Sequence, residues 1–410
     1  MIISEYILAM KTEINPSDNY RRDNIRFSIF QNNKTFKQTI RDDVLSFLDS
    51  LRKPEASDPL HKWIGTYNVF RMYLLRFFKW LYYPEIEPSK RPKPEVTENI
   101  FQLKRKEQSI YKPTDLWTGE DNLLFLKYCP SERMRCFHAI SYDTGCRPHE
   151  LLKLRIRDIA FKNAGNKQYA EALVNGKTGT RHIPLIDSIP YLKDYLGHEH
   201  PQPGNPSSIL ICGNGKSFAR SLDTQVIHKI YWRMKKEVFT KLLTDPNVMP
   251  EDKQKIKELL MKPWNPYIIR HSTLTEKSKI LKEHVLRQHA GWSPKSQMHL
   301  RYLHYFGNES CESILEAYGI VKKDQKSSDA LRPKQCPNCS EPNRPDAKFC
   351  TKCKMVLTYD AYCETIEDIQ IKDNEVKNLK EQMVAMQEAQ KEILDLLKDP
   401  IRLSEAVKAN

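Results

Sequence analysis

No stretch of this 410-residue chain is apolar for long enough to span a bilayer. The amino terminus, MIISEYILAMKTEINP, lacks a basic leading region and a small-residue cleavage site, and Glu5 interrupts its apolar patch. It therefore does not read as a secretion signal. No membrane partner is expected, and the protein is expected to stay in the cytoplasm, associated with the nucleoid. Internal repeats are absent. The ten cysteines do not read as a disulfide framework, because a reducing compartment keeps thiols free. Four of them, Cys336, Cys339, Cys350 and Cys353, cluster at metal-ligand spacing, and the other six are scattered. Acidic residues are in deficit, 52 against 66 lysines and arginines, giving a net charge of +14 and a pI near 9.1. A polyanion, most simply nucleic acid, is the partner such an excess suits.

The length suits two cores with appendages. Residues 1–83 read as a helical domain. Within it, Tyr67 to Tyr83 combines a wide apolar side with Arg71, Arg76 and Lys79, which fits a helix packed on a core and facing phosphates. Residues 84–113 hold five prolines among many charges and read as a linker with a short helix in its later half. Compact structure is expected to resume at residue 114 and to run to about 325. Thr118 and Asp121 form a capping pair at its first helix. The expected class is mainly α with a small β-hairpin or sheet. The hairpin is placed at Tyr169–Val174 and Arg181–Leu185, with Asn-Gly at 175–176 as the turn. Residues 326–335 read as a second linker. Residues 336–357 form a cysteine module, and residues 364–398 form a charged helix of heptad character.

Four segments carry candidate chemistry, each with an ordinary structural explanation when taken alone. In TGCRPHELLKLRIRDI, Gly145 ends one helix and Pro148 suits the first turn of the next. Arg147 then sits at a helix entry, with Glu150 one turn on. A cation there opposes the helix dipole, and a bound anion would remove the conflict. Lys177 follows the Asn-Gly pair; a lysine at a hairpin tip is ordinarily a solvated charge. In NPYIIRHSTLT, Tyr267 and Arg270 lie one helical turn apart with His271 adjacent. In HAGWSPKSQMHLRYLHYFG, Gly291 ends a helix, Trp292 follows, and Tyr302 and Tyr305 lie beyond.

In this order and spacing, across roughly residues 115–310, the segments resemble the catalytic domain of the tyrosine recombinases, the group of phage integrases and chromosome-dimer resolvases. The basic helical region before it resembles, less specifically, the family's core-binding domain. The resemblance implies a helical core-binding domain followed by an α+β catalytic domain. It implies that Arg147 and Arg270 support the non-bridging oxygens of a phosphodiester, that Lys177 protonates the leaving 5′ oxygen, and that Tyr302 is the nucleophile. His271 and Trp292 would assist at the phosphate or the nucleophile, and Glu150 would orient the first arginine. Two departures stand out. Tyr267 occupies the position of the family's usual first histidine, and a phenol is a poorer proton shuttle near neutral pH. Trp292 stands where histidine is commoner. The tyrosine substitution is similar to archaeal branches, which implies an archaeal origin or a mobile element of such a host. The family's spacing favours Tyr302 over Tyr305.

Two forked donor groups on a phosphate can do what a metal pair does elsewhere, so no catalytic metal is expected. The implied reaction is strand cleavage and rejoining of double-stranded DNA through a 3′-phosphotyrosine, without ATP. The implied assembly is a homo-oligomer, a tetramer in the synaptic complex. A single-strand-nicking topoisomerase of type IB character would share the chemistry. A DNA-binding regulator with a degenerate catalytic domain is the alternative of a different class.

The module CPNCSEPNRPDAKFCTKC presents two C-x2-C knuckles separated by ten residues, the pattern of a zinc ribbon with structural Zn²⁺. Beyond it, Ile369, Val376, Leu379, Met383, Met386, Ile393 and Leu397 fall near a and d heptad positions, with Lys372 and Gln390 breaking the seam. A short coiled coil and a single docking amphipathic helix both fit this pattern.

Overall fold

The computed structural model describes residues 2–14, 19–105, 111–165, 167–176, 178–213, 218–300, 302 and 330–398. Lys177 and Tyr305 lie outside these, as do residues 303–325 of the expected catalytic domain and 326–329 of the expected second linker. The architecture is mainly α with a small antiparallel sheet. The chain divides into two compact units, Met1–Ile110 and Tyr111–Asn410.

The first unit is built from α1 (Ile2–Ile14), α2 (Asn19–Phe30), α3 (Arg41–Asp49) and α4 (Trp63–Tyr82). Its core is dense in aromatic rings: Phe27, Phe36, Phe47, Phe70, Phe77 and Phe78 meet mostly edge to face. Arg71, expected on a phosphate-facing strip, turns back to donate to the Ile100 carbonyl at 2.7 Å. The proline-rich stretch expected as a linker also differs. Arg91 is buried and donates to the carbonyls of Tyr83, Pro84 and Ile86. Backbone that proline leaves without sheet or helix partners is thereby satisfied. Val96 and Ile100 then enter the aromatic core, and Asn68 pairs with both backbone groups of Leu103.

The second unit centres on α6 (Glu132–Thr144), whose residues 136–144 are all buried. Around it stand α5 (Gly119–Tyr128), α7 (Pro148–Leu151), α8 (Ile189–His198), α9 (Thr224–Arg233), α10 (Thr240–Leu242), α11 (Pro250–Met261), α12 (Pro266–Ile280), α13 (Glu283–Ala290) and α14 (Met298–Leu300). A π-helical turn, Met234–Phe239, joins α9 to α10. The Thr118–Asp121 capping pair forms at α5 as expected, with reciprocal bonds of 2.8 and 3.2 Å. His138 on α6 is a core histidine between Tyr231 and Asn122, and burial pushes its pKa down to about 3.

The sheet has three strands, β1 (Ile159–Ala164), β2 (Lys167–Gly176) and β3 (Gly179–Leu185), in that spatial order. The hairpin is present, but its turn is not at Asn-Gly. Gly176 pairs with Gly179, so Asn175 and Gly176 belong to β2 rather than to a turn. Packing decides the register. It sets Ala170 opposite Leu185 and Ala172 opposite Ile183, all fully buried. A turn at 175–176 would break both apolar pairs.

Beyond residue 329, Leu331 is buried in the main core of this unit. A small ribbon, β4 (Lys334–Gln335) with β5 (Pro342–Asn343), leads into the cysteine module. The module sits on α8: Glu341 pairs with Lys193, and Arg344 lies 3.6 Å from Asp194. A helix of 40 residues, α15 (Tyr359–Lys398), follows. Its Ile369, Val376, Leu379, Met383 and Met386 are about half to two-thirds exposed. No helix among the described residues is long and apolar enough to cross a membrane.

Candidate active site

Two glycines set the backbone of the site. Gly145 closes α6 with φ of +60°, and Gly291 closes α13 with φ of +66°. Both are left-handed caps, where a Cβ is disfavoured. The chain leaves Gly145 into Arg147 and Pro148, so α7 begins where the sequence placed it.

The last turn of α13 then gathers three guanidinium groups on three consecutive carbonyls. Arg181 Nε donates to His289 O at 3.0 Å, Arg270 Nη2 to Ala290 O at 3.0 Å, and Arg147 Nη1 to Gly291 O at 3.3 Å. A helix C-terminus offers orphan carbonyls and the negative end of the helix dipole, so cations are favoured there. Arg270 also donates to Gly145 O at 2.5 Å, which ties the two glycine caps together. Burial pushes the Arg270 guanidinium down from its usual range, the Tyr302 oxygen opposes that shift, and the charge of Arg147 adds to it.

Glu150 is the counter-charge. It is 1% exposed, and its carboxylate accepts from Arg147 Nη1 at 3.0 Å, from the Arg147 backbone N–H at 3.1 Å and from Arg181 Nη2 at 2.7 Å. Burial pushes the carboxyl up, but Arg181 and then Arg147 outweigh it, so it lies below the usual carboxylate range.

Tyr302 completes the cluster. It is 2% exposed, its hydroxyl lies 3.0 Å from His271 Nδ1, and its ring stacks on Trp292 and His271 with centroids 5.3 and 5.7 Å apart. Leu274, Leu286 and Ala290 close the apolar side. The structure thus brings together Arg147, Glu150, Arg270, His271, Trp292 and Tyr302. It does not bring Tyr267 into that cluster. Tyr267 is 36% exposed, its ring lies against His228 at 6.0 Å, and no hydrogen bond joins it to the cluster among the described residues.

Arg181 was not singled out from sequence, although a signal existed. In β3 it shares the inward phase with Ile183 and Leu185, and a charge on the buried face of a strand must have a partner. His289 was also missed. Burial, then the Lys277 charge, pushes its pKa down to about 4. Beside Gly176 a polar cleft is lined by His149, Lys153, Arg155, Arg157 and Asn175, with one carboxylate, Asp158, among them.

The four cysteines form a second candidate site. Their sulfurs lie within 4.8 Å of one another, with Cys336–Cys353 at 3.5 Å and Cys339–Cys350 at 3.6 Å. These distances exceed a disulfide bond. They approach the edge of a tetrahedron with about 2.3 Å Zn–S bonds, about 3.8 Å. Buried Asn343 orders the second knuckle. It directs Nδ2 at Cys350 Sγ, 3.7 Å away, and accepts from Thr351 N at 2.8 Å.

No family model matches the chain, and no curated protein matches it. Solved structures do. One is the XerH site-specific recombinase in a post-cleavage complex with palindromic difH substrate: 18% identity, TM-score 0.49, covering 74% of this chain and 79% of that one. Another is the Tn1549 transposon integrase with transposon right-end DNA: 14% identity, TM-score 0.49, covering 78% of this chain and 99% of that one. A third is a lambda integrase dimer bound to a COC′ core site: 11% identity, TM-score 0.48, covering 75% of this chain and 96% of that one. The likeness is distant in each case.

Proposed function

We propose that this protein is a site-specific DNA recombinase of the tyrosine type, cutting and rejoining double-stranded DNA through a 3′-phosphotyrosine at Tyr302. The observation that carries the reading is the cluster on the last turn of α13. Three guanidiniums face one carboxylate, and a tyrosine hydroxyl stands beside them. A buried cluster with two more cations than anions calls for an anion, and a phosphodiester supplies it.

In this reading Arg147 and Arg270 hold the non-bridging oxygens as charge gathers there during attack. Such preorganised donors are worth about 2.7–4 kcal/mol each in comparable sites. The Tyr302 oxygen attacks phosphorus, the bond to the 5′ oxygen breaks, and Lys177 gives that oxygen its proton. His271 sits at the nucleophile, where it can take the phenol proton. Trp292 acts through stacking on the tyrosine ring. Tyr267, standing off the cluster, contributes least. Resealing runs the same steps backwards from a new 5′ hydroxyl, so the bond energy is kept and ATP is not needed. The cleft of His149, Lys153, Arg155 and Arg157 and the overall positive charge suit the DNA backbone on either side.

The cysteine module is proposed to hold one structural Zn²⁺ through Cys336, Cys339, Cys350 and Cys353. That metal would supply the folding energy that so small an apolar core lacks. The exposed heptad face of α15 suits self-association in a homo-oligomer, a tetramer at synapsis.

The test is capture on a nicked suicide duplex. The parent protein is expected to form a covalent protein–DNA adduct, Tyr302→Phe to form none, and Tyr305→Phe to retain it. An adduct that persists in Tyr302→Phe and vanishes in Tyr305→Phe moves the nucleophile. No adduct from the parent on any duplex favours the DNA-binding regulator. Plasmid relaxation without recombinant product favours the topoisomerase.

A further inference from the structure

We propose that Arg181 is a positioning residue for this chemistry: by occupying Glu150 it keeps the positive charge of Arg147 available to the phosphate. The inference rests on the recombinase reading and deepens it, adding a third arginine that the family resemblance did not supply.

The geometry of the triad points there. Glu150 and Arg181 side chains are 1% and 6% exposed, whereas Arg147 is 27% exposed. Arg181 therefore spends its fork inside the protein, and Arg147 presents part of its own to the outside. Were Glu150 served by Arg147 alone, a buried carboxylate would draw both arms of that guanidinium into a bidentate pair and cancel its charge. Arg181 Nη2 instead takes Oε2 at 2.7 Å, leaving Oε1 to a single Nη1 contact from Arg147 at 3.0 Å. Two cations then share one anion, and the surplus charge resides on the arginine that is exposed.

The surroundings are shaped to this guanidinium. A Cβ at Gly176 would lie 2.5 Å from Glu150 Oε1 and 2.8 Å from Arg181 Nη1, and one at Gly291 would lie 2.7 Å from the same Nη1. Both glycines thus leave the space the fork occupies. Nη1 is buried and has no hydrogen-bond partner among the described residues. A guanidinium placed for stability alone would be expected to satisfy that donor. Its other contacts, His289 O at 3.0 Å and Cys146 Sγ at 3.4 Å, fix it between the end of α13 and the residue before Arg147.

The experiment measures single-turnover adduct formation by the full-length protein on two suicide duplexes. One has an ordinary scissile phosphate and the other an uncharged methylphosphonate at that position. Arg181→Gln is expected to lose about 100-fold in rate on the phosphate while DNA affinity stays within about threefold. On the methylphosphonate the deficit is expected to shrink below about tenfold, because less charge has to be neutralised. Adding Glu150→Gln is expected to restore at least about tenfold on the phosphate, since the competing carboxylate is gone. Equal deficits on the two substrates, or no recovery in the double variant, overturn the proposal. If Arg181→Gln does not fold, Arg181→Lys keeps a cation at Glu150. It is expected to stay within about tenfold of the parent, and a folded Arg181→Lys slowed more than about 100-fold overturns the proposal. Parent protein that forms no Tyr302 adduct removes the recombinase reading itself. Parent-like rates in folded Arg181→Gln remove this inference alone.

Discussion

Replacing Gly291 with alanine tests the architecture of the site against a built-in control. Gly291 and Gly165 share a positive φ, +66° and +58°. For an L-residue that conformation costs about 1–2 kcal/mol. The two positions differ in their surroundings. A Cβ at Gly165 meets nothing within 4 Å, while one at Gly291 meets Arg181 Nη1, Cζ and Nη2 at 2.7, 2.8 and 3.2 Å. Arg181 cannot swing aside freely, being held at Glu150 and His289 O. Overpacking adds about 1–3 kcal/mol, so Gly291→Ala should cost about 2–5 kcal/mol in all, against about 1–2 for Gly165→Ala. At about 2–4 °C per kcal/mol for a unit of this size, Gly291→Ala should melt roughly 4–20 °C below the parent. Calorimetry of both variants, with adduct formation assayed in parallel, gives the result. Gly165→Ala should cleave at the parent rate and Gly291→Ala should be slowed about 100-fold, because the displaced fork releases Glu150 onto Arg147. If the two variants melt within about 1 °C of each other, Arg181 does not fill the space assigned to it, and the charge argument built on it falls.

Three further outcomes are expected. Arg270→Lys should slow cleavage by at least about 100-fold in single turnover, because an ammonium cannot span the Gly145 and Ala290 carbonyls and still offer a fork; a loss under tenfold would contradict this. His138 and His289 are held neutral by burial, with pKa values of about 3 and about 4, while in the unfolded chain they titrate near 6.5. The unfolded state therefore binds more protons below pH 6.5, and stability must fall as pH drops through that window. Between pH 7.5 and 5.5 urea unfolding should show a loss of about 1.4 kcal/mol per histidine, and a flat profile there would refute the assignment. Purified protein should carry one zinc per chain. Cys350→Ser should release it and expose residues 336–357 to protease while Tyr302 adduct formation survives, and loss of all folded structure would show that the module is not separable.

Much of the local structure was legible because it is written in short-range chemistry. Thr118 with Asp121, Gly145 before Pro148, and Gly291 at the end of α13 all act within a few residues. The hairpin was legible as a hairpin, but its turn was misplaced. Asn-Gly is a local preference, and the register was settled by Ala170, Ala172, Ile183 and Leu185 packing inward. Strand β1 gave no signal, since nearly all its residues are exposed and show no alternation. The prolines of 84–113 suggested a linker, yet one buried arginine, Arg91, collects the carbonyls of Tyr83, Pro84 and Ile86. At the site, the order of motifs named six residues that the fold brings together. What they could not name was the common anchor. Arg147, Arg181 and Arg270 meet at carbonyls 289–291, and contacts across 108 or 144 residues leave no periodicity to read. Tyr267 shows the converse: one turn from Arg270 is a shared face by spacing, but that residue points to His228 instead.

The hanging of three arginines from one helix end has a consequence for control. Glu283–Ala290 is short, and whatever moves its final turn moves all three cations together. Such a centre cannot be dimmed by degrees. A small push on that helix from a neighbouring subunit or a strained duplex would scatter the whole charge array at once, and its return would restore every contact together. On the proposed reading, cutting would then start and stop as a single step.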